Sequence, residues 1–190
     1  MDTDILIVSG LPRSGTSLMM AMLDRGGIPV LTDELRTADT DNPRGYYELE
    51  RVKQTKQDSS WLSEARGRAV KVISSLLYDL PPSENYRVLF MQRDLNEVLT
   101  SQEKMLQRRG QPLAPRDKMR SSFTIHLERL FEWIPHQPHI RLLPVNYNQL
   151  MSDAESIVSC IAQFIGQDVD ADRMCSAVDP SLYRNRNPVG

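Results

Sequence analysis

Histidine, cysteine and aromatic residues are all scarce in this 190-residue chain: three His, two Cys, and 6% Phe, Trp and Tyr. Cys160 and Cys175 fall in no C-x-x-C or His-rich cluster, which argues against structural zinc and demands no oxidising compartment. An excess of one charge is lacking too, since 23 basic residues stand against 25 acidic ones. Near-balance with few aromatics speaks against a nucleic-acid partner and leaves room only for a local basic pocket. No apolar run approaches the roughly 20 residues of a membrane span. The only early run, Ile5 to Val8, follows Asp2 and Asp4 and is cut at once by Ser9 and Gly10. It therefore lacks the basic start and longer apolar stretch of a secretory signal. The expectation is a cytoplasmic protein with no membrane insertion. Its length suffices for one domain over residues 1–190, with its own core and without disulfides or metal.

What is present is an alternation of strand and helix signals. Ile5 to Val8 reads as a buried strand, continuous and rich in β-branched residues. Gly15 to about Arg25 reads as a helix carrying Leu18, Met19, Met22 and Leu23, stopped by Gly26-Gly27. Ile28 to Thr32 has the character of a short strand, Asp33 to Gly45 that of a polar surface loop, and part of Glu48 to Ser63 that of a helix. Further strands are expected at Ala69 to Ile73, Arg87 to Met91 and Ile140 to Val145, the last with Pro144 marking a strand end or an edge. Helical spacing recurs in Leu95, Val98, Leu99 and Met105, and again near Arg116 to Ile134. Ser152-Asp153-Ala154-Glu155 has the form of a capping box before a helix that ends at Gly166. The stretch from Asp168 onward is polar. Such alternation predicts an α/β fold of the doubly wound kind, a mostly parallel sheet with helices on both faces. Ligands of these sheets bind beyond the carboxyl ends of the strands.

One of those strand ends carries Gly10-Leu11-Pro12-Arg13-Ser14-Gly15-Thr16-Ser17. The stretch has nearly the spacing of a nucleotide-binding P-loop, yet Thr16 stands where the phosphate-gripping lysine belongs. A glycine-rich turn leading into a helix still offers backbone N–H groups and the positive end of the helix dipole to an anion. The cation has moved into the loop as Arg13, and Thr16 and Ser17 add two hydroxyls. No apolar strand ends in a bare aspartate to organise Mg²⁺. The loop suits an anion but is poorly equipped for a metal–triphosphate.

These residues resemble the sulfotransferases that use 3′-phosphoadenosine 5′-phosphosulfate (PAPS). Pro12-Arg13-Ser14-Gly15-Thr16-Ser17 is similar to the family's P-[KR]-S-G-T-[ST] loop, which holds the 5′-phosphosulfate. Arg93 after the strand VLFMQ, with Ser101 eight residues on, resembles the pair that binds the 3′-phosphate. PVNYNQLMSDAESIVSCIAQFIG and DNPRGYYE extend the likeness in patches over about residues 5–187. The resemblance implies a P-loop-type fold and PAPS as co-substrate, with no metal. It also implies sulfuryl transfer to a hydroxyl or amine acceptor, most simply a small molecule. Arg184 and Arg186 are further candidates for the 3′-phosphate, although the family's C-terminal R-K-G triplet is absent.

The resemblance is less direct about the base. Lys71 matches the family's strand-end lysine, but Ile73 occupies the position of the histidine that follows it in many cytosolic members. Other branches use a glutamate beyond the first helix, and Glu34 falls there, with Asp33 beside it. The expected catalytic set is Glu34 as base, Lys71 as the cation on the bridging oxygen, and Arg13. His126 borders the stripe of Phe123, Leu127 and Leu130 and reads as a core-edge histidine. The chain is short for a sulfotransferase, so either the acceptor pocket is open to a larger substrate or a second subunit, as in a homodimer, completes it. A P-loop kinase using ATP and a non-catalytic binder of PAPS or its desulfated product PAP remain the alternatives.

Overall fold

The structure, a computed structural model, describes residues 4–33, 35, 39 and 45–179. Five strands form one sheet: β1 (Ile5–Gly10), β2 (Val30–Leu31), β3 (Ala69–Lys71), β4 (Tyr86–Gln92) and β5 (Ile140–Asn146). Their order across the sheet is β2-β3-β1-β4-β5, and every pairing is parallel. Parallel strands need crossovers, which here put helices on both faces. These are α1 (Thr16–Arg25), α2 (Leu62–Ala65), α3 (Leu95–Arg108), α4 (Arg116–Trp133), α5 (Tyr147–Ser152), α6 (Ala154–Ile165) and α7 (Ala171–Ser176).

Strand alternation divides the core in two. Ile5, Ile7, Val88 and Phe90 face one side with Trp61, Leu77, Leu130 and Ile134. Leu6, Val8, Leu89 and Met91 face the other with Met19, Leu23, Ile161 and Ile165. Covered on both faces, β1 is buried along its whole length, which is why it opens on the unbroken apolar run Ile5–Val8. The central position of β1, with β3 on one side and β4 on the other, sets the crevice at the strand ends. Among the described residues, no helix is long and apolar enough to cross a membrane.

Four expectations change in detail. The segment after Glu48 forms a 3₁₀ turn at Glu50–Gln54 and then the single-turn α2, with Trp61 Nε1 donating to Thr55 Oγ1 at 3.1 Å between them. Strand β3 stops at Lys71, before Ile73, because the chain turns into a 3₁₀ segment at Ser74–Asp79. The cap of α6 is Asp153 rather than Ser152: the Asp153 carboxylate accepts from the Ser156 amide at 3.2 Å, while Ser152 closes α5 and donates to Gln149 O. The polar stretch after Asp168 contains α7, capped by Asp170 and anchored by buried Met174. Pro144 lies in β5, an edge strand, where a missing N–H is tolerated.

The lower end of the sheet is tied by a charge cluster. Arg87 and Arg141 are register partners on β4 and β5, and both donate to Asp4 Oδ2, at 2.9 and 2.6 Å. Arg87 also donates to the carbonyls of Phe164 and Ile165 at the end of α6. The hydrogen bond from Arg87 holds the Asp4 carboxyl below its usual range, against the opposing effect of burial. The ionised form is therefore favoured by folding. Its stabilisation is present above the ordinary carboxylate value of about 3.9 and fades as pH falls through the lower folded value. Asp4→Asn is expected to cost about 1 kcal/mol at pH 7. Thermal unfolding at pH 7 and pH 3 checks this, and an equal penalty at both would rule out ion pairing as its source.

Candidate active site

Gly10 ends β1 at φ 148°, where an added Cβ would meet Ser14 Oγ and the Met91 carbonyl. Gly15, the N-cap of α1, sits at φ 104°, and a Cβ there would collide with the Tyr147 ring. Both positions need glycine, one for close approach and the other for its left-handed backbone as well. Between them, Ser14 folds the turn back on itself, its amide and hydroxyl both directed to Leu11 O at 3.2 and 2.7 Å. Arg13 adopts φ 69°, a conformation uncommon for a residue with a side chain. Gly15 has no side chain with which to cap α1, so the first-turn amides are left to serve an anion.

The loop and the ends of β3 and β4 meet. Arg13 Nε donates to Ser101 Oγ at 3.0 Å, and Arg93 Nη1 reaches Arg13 O at 3.3 Å. The residues expected to hold the two ends of a bisphosphorylated nucleotide are thus in contact with one another. The Arg93 side chain is only 7% exposed. Its Nε pairs with Glu97 at 2.9 Å, and the guanidinium stacks 4.4 Å above the Tyr147 ring. Asn148 Nδ2 donates to the other Glu97 oxygen at 3.2 Å. Four residues apart, Arg93 and Glu97 form an enclosed pair rather than a surface one, for Glu97 is 2% exposed. Asp94 caps α3 and directs Glu97 inward by accepting its amide.

Lys71, at the end of β3, is not a solvent-facing strand residue. Its ammonium donates to Ser17 Oγ at 3.1 Å and to Tyr46 O at 2.8 Å, and lies 3.6 Å from the Glu48 carboxylate. Ser17 also donates to Tyr46 O, at 3.4 Å. Ser14 and Thr16 are buried, and Pro12 lies in the exposed outer part of the turn. Ile73, in place of a histidine, is 41% exposed. Asp33 is engaged as a loop cap, accepting the amides of Leu35 and Glu50 at 3.1 and 2.5 Å. Glu34, Arg184 and Arg186 lie outside the described residues.

The sequence reading passed over Glu48. Its carbonyl accepts from Thr32 Oγ1 at 2.9 Å and from the Asp33 amide at 3.2 Å, which fixes the residue to the end of β2. The only signal in the sequence was its place as the last residue of DNPRGYYE. His126 is a satisfied histidine: Nε2 lies 2.8 Å from Ser74 Oγ, the ring meets Tyr78 edge-on, and burial lowers its pKa. It lines an open cleft of about 890 Å³ with Tyr78, Ile125, Arg129 and Trp133, none of them among the residues of the loop cluster.

An arginine-bearing glycine loop, a strand-end lysine and a second arginine just beyond β4 thus lie together at the strand ends of the sheet. The sulfotransferase domain family model matches residues 2–185, and the chain belongs to that family. It is accordingly a transferase of sulfuryl groups. The sulfotransferase domain from the Synechococcus PCC 7002 olefin synthase superposes with a TM-score of 0.61 at 16% identity, covering 98% of this chain and 89% of that one. The sulfotransferase domain from the curacin biosynthetic pathway gives 0.57 at 15% identity, covering 98% and 93%. At such identities the likeness is one of fold. No curated protein sequence matches the chain.

Proposed function

We propose that the chain, as one domain over residues 1–190, transfers the sulfuryl group of PAPS to a hydroxyl or amine of a small-molecule acceptor. The observation that carries this reading is the contact of Arg13 with Ser101 and of Arg93 with the Arg13 carbonyl. Two cationic groups in one cluster, together with loop amides, suit a nucleotide bearing both a 5′-phosphosulfate and a 3′-phosphate. In this reading Arg13, Ser14, Gly15, Thr16 and Ser17, with Pro12 shaping the turn, hold the phosphosulfate. Arg93 and Ser101 hold the 3′-phosphate, with Arg184 and Arg186 assigned to the same group. Lys71 neutralises the bridging oxygen as the S–O bond breaks. A sulfuryl group carries less charge than a terminal phosphoryl group, so positioning and electrostatics suffice. A second subunit that completes the acceptor pocket is part of the proposal.

Calorimetric titration with PAP, with ATP–Mg²⁺ as the comparison, tests the assignment. Micromolar PAP affinity with weak ATP–Mg²⁺ binding is the expected result. Tighter binding of ATP–Mg²⁺ would move the site to phosphoryl transfer.

A further inference from the structure

Resting on the sulfuryl-transfer reading, we infer that Glu48 is the general base of the reaction. Three features converge on it. Its carboxylate is 3.6 Å from the Lys71 ammonium, which in turn touches Ser17 of the anion loop, so it lies beside the groups assigned to the transferring sulfuryl. Its main chain is held by Thr32 and by the Asp33 amide at the end of β2, which gives the carboxylate a fixed origin rather than a wandering one. Its side chain keeps 30% exposure while that of Lys71 keeps 9%, so an acceptor has access to the carboxylate and the ammonium is enclosed behind it. The rival carboxylate, Asp33, whose amide is bonded to the Glu48 carbonyl, accepts from two backbone amides and is turned to loop structure.

In the step, the acceptor oxygen attacks sulfur and its proton passes to a Glu48 carboxylate oxygen. The bond between sulfur and the bridging oxygen of PAPS breaks, and its electron pair stays on the 5′-phosphate of PAP. Lys71 meets the charge that gathers there. Products are the sulfate ester and PAP, and the proton is then lost from Glu48 to solvent.

Glu48→Gln separates this role from a structural one, because glutamine keeps an oxygen for Lys71 but cannot take up a proton. With PAPS and a panel of alcohols and phenols led by 2-naphthol, and with water as the basal acceptor, kcat is expected to fall about 10²- to 10⁴-fold. PAP affinity should stay within about threefold of the parent, too small a change to register as lost donor binding. The acid limb of the pH–rate profile should vanish in the glutamine variant and return in Glu48→Asp, which restores part of the rate. Retained turnover in Glu48→Gln would overturn the inference, as would a loss of PAP affinity matching the loss of rate. So would PAP binding by the parent without transfer to any acceptor. Failure of the parent to bind PAP would instead remove the sulfuryl-transfer reading beneath it. A parallel Glu34→Gln variant with the larger rate loss would assign the base to Glu34.

Discussion

Replacing Arg93 with alanine is expected to lower the unfolding free energy by about 3 kcal/mol, in the range for breaking a buried ion pair. The reason is the carboxylate left behind. Glu97 is 2% exposed, and its carboxylate accepts from the Arg93 guanidinium and from Asn148 Nδ2, so the variant removes a charged partner from a buried carboxylate. Adding Glu97→Gln to the variant should recover at least about 1 kcal/mol, since the stranded charge rather than the lost contact carries most of the cost. PAP affinity should not recover. Loss of a charge-assisted contact to the 3′-phosphate corresponds to about a 100-fold weakening, close to 2.7 kcal/mol, in both the single and the double variant. Urea unfolding and PAP calorimetry at pH 7.5 measure the two effects separately. Equal destabilisation of both variants would show that the buried charge is not the cause. Unchanged PAP affinity would place the 3′-phosphate elsewhere.

Lys71→Ala should act on rate rather than on binding. The ammonium is fixed by Ser17 and Tyr46 O in a slot that leaves its side chain 9% exposed. In the proposed reaction, a fixed, enclosed cation beside an oxygen whose charge grows only as the bond breaks would stabilise the transition state over the ground state. Turnover of PAPS is expected to drop about 10²- to 10³-fold. PAP affinity should weaken by less than about tenfold, the equivalent of 1.4 kcal/mol. Lys71→Arg should restore little, because the planar fork does not fit a place shaped for a point charge. Single-turnover kinetics at saturating PAPS provide the measurement. A fall in PAP affinity as large as the fall in rate would make Lys71 a ground-state ligand.

Much of this arrangement was legible in the sequence, for reasons of locality. The run Ile5–Val8, the two loop glycines and the helix after them are consecutive, so burial, turn and helix start were visible as a single pattern. Arg93 and Ser101 stood out through their resemblance to the family's arginine–serine pair, which lies within one short stretch after a strand. What the sequence concealed depends on distant partners. The burial of Glu97 was not visible because Tyr147 and Asn148, which lie against its pair with Arg93, come from the chain after β5. Glu48 looked like the end of a loop motif because its nearness to Lys71 arises only when β2 and β3 align in the sheet. The cap of α6 was missed by one residue because S-D-A-E offers two candidates, and the choice was made by the preceding short helix, which retains Ser152. Helix α7 was invisible because one turn and a half with a single deeply buried side chain, Met174, gives no periodicity to detect.

The acceptor shared by Lys71 and Ser17 is a main-chain oxygen, that of Tyr46. The chain reaches that point through Gly45 at φ 86° and leaves it through Tyr47 at φ 51°. The contribution of residue 46 to holding the ammonium is therefore written in backbone torsion and not in the identity of its side chain. A side-chain scan would class Tyr46 as a packing residue, buried and bonded through its hydroxyl to Asp39. The position of the Lys71 ammonium would respond instead to changes at the neighbours of residue 46, such as a β-branched residue at 47 that resists the left-handed turn. Retuning this enzyme is a matter of rerouting a short length of chain.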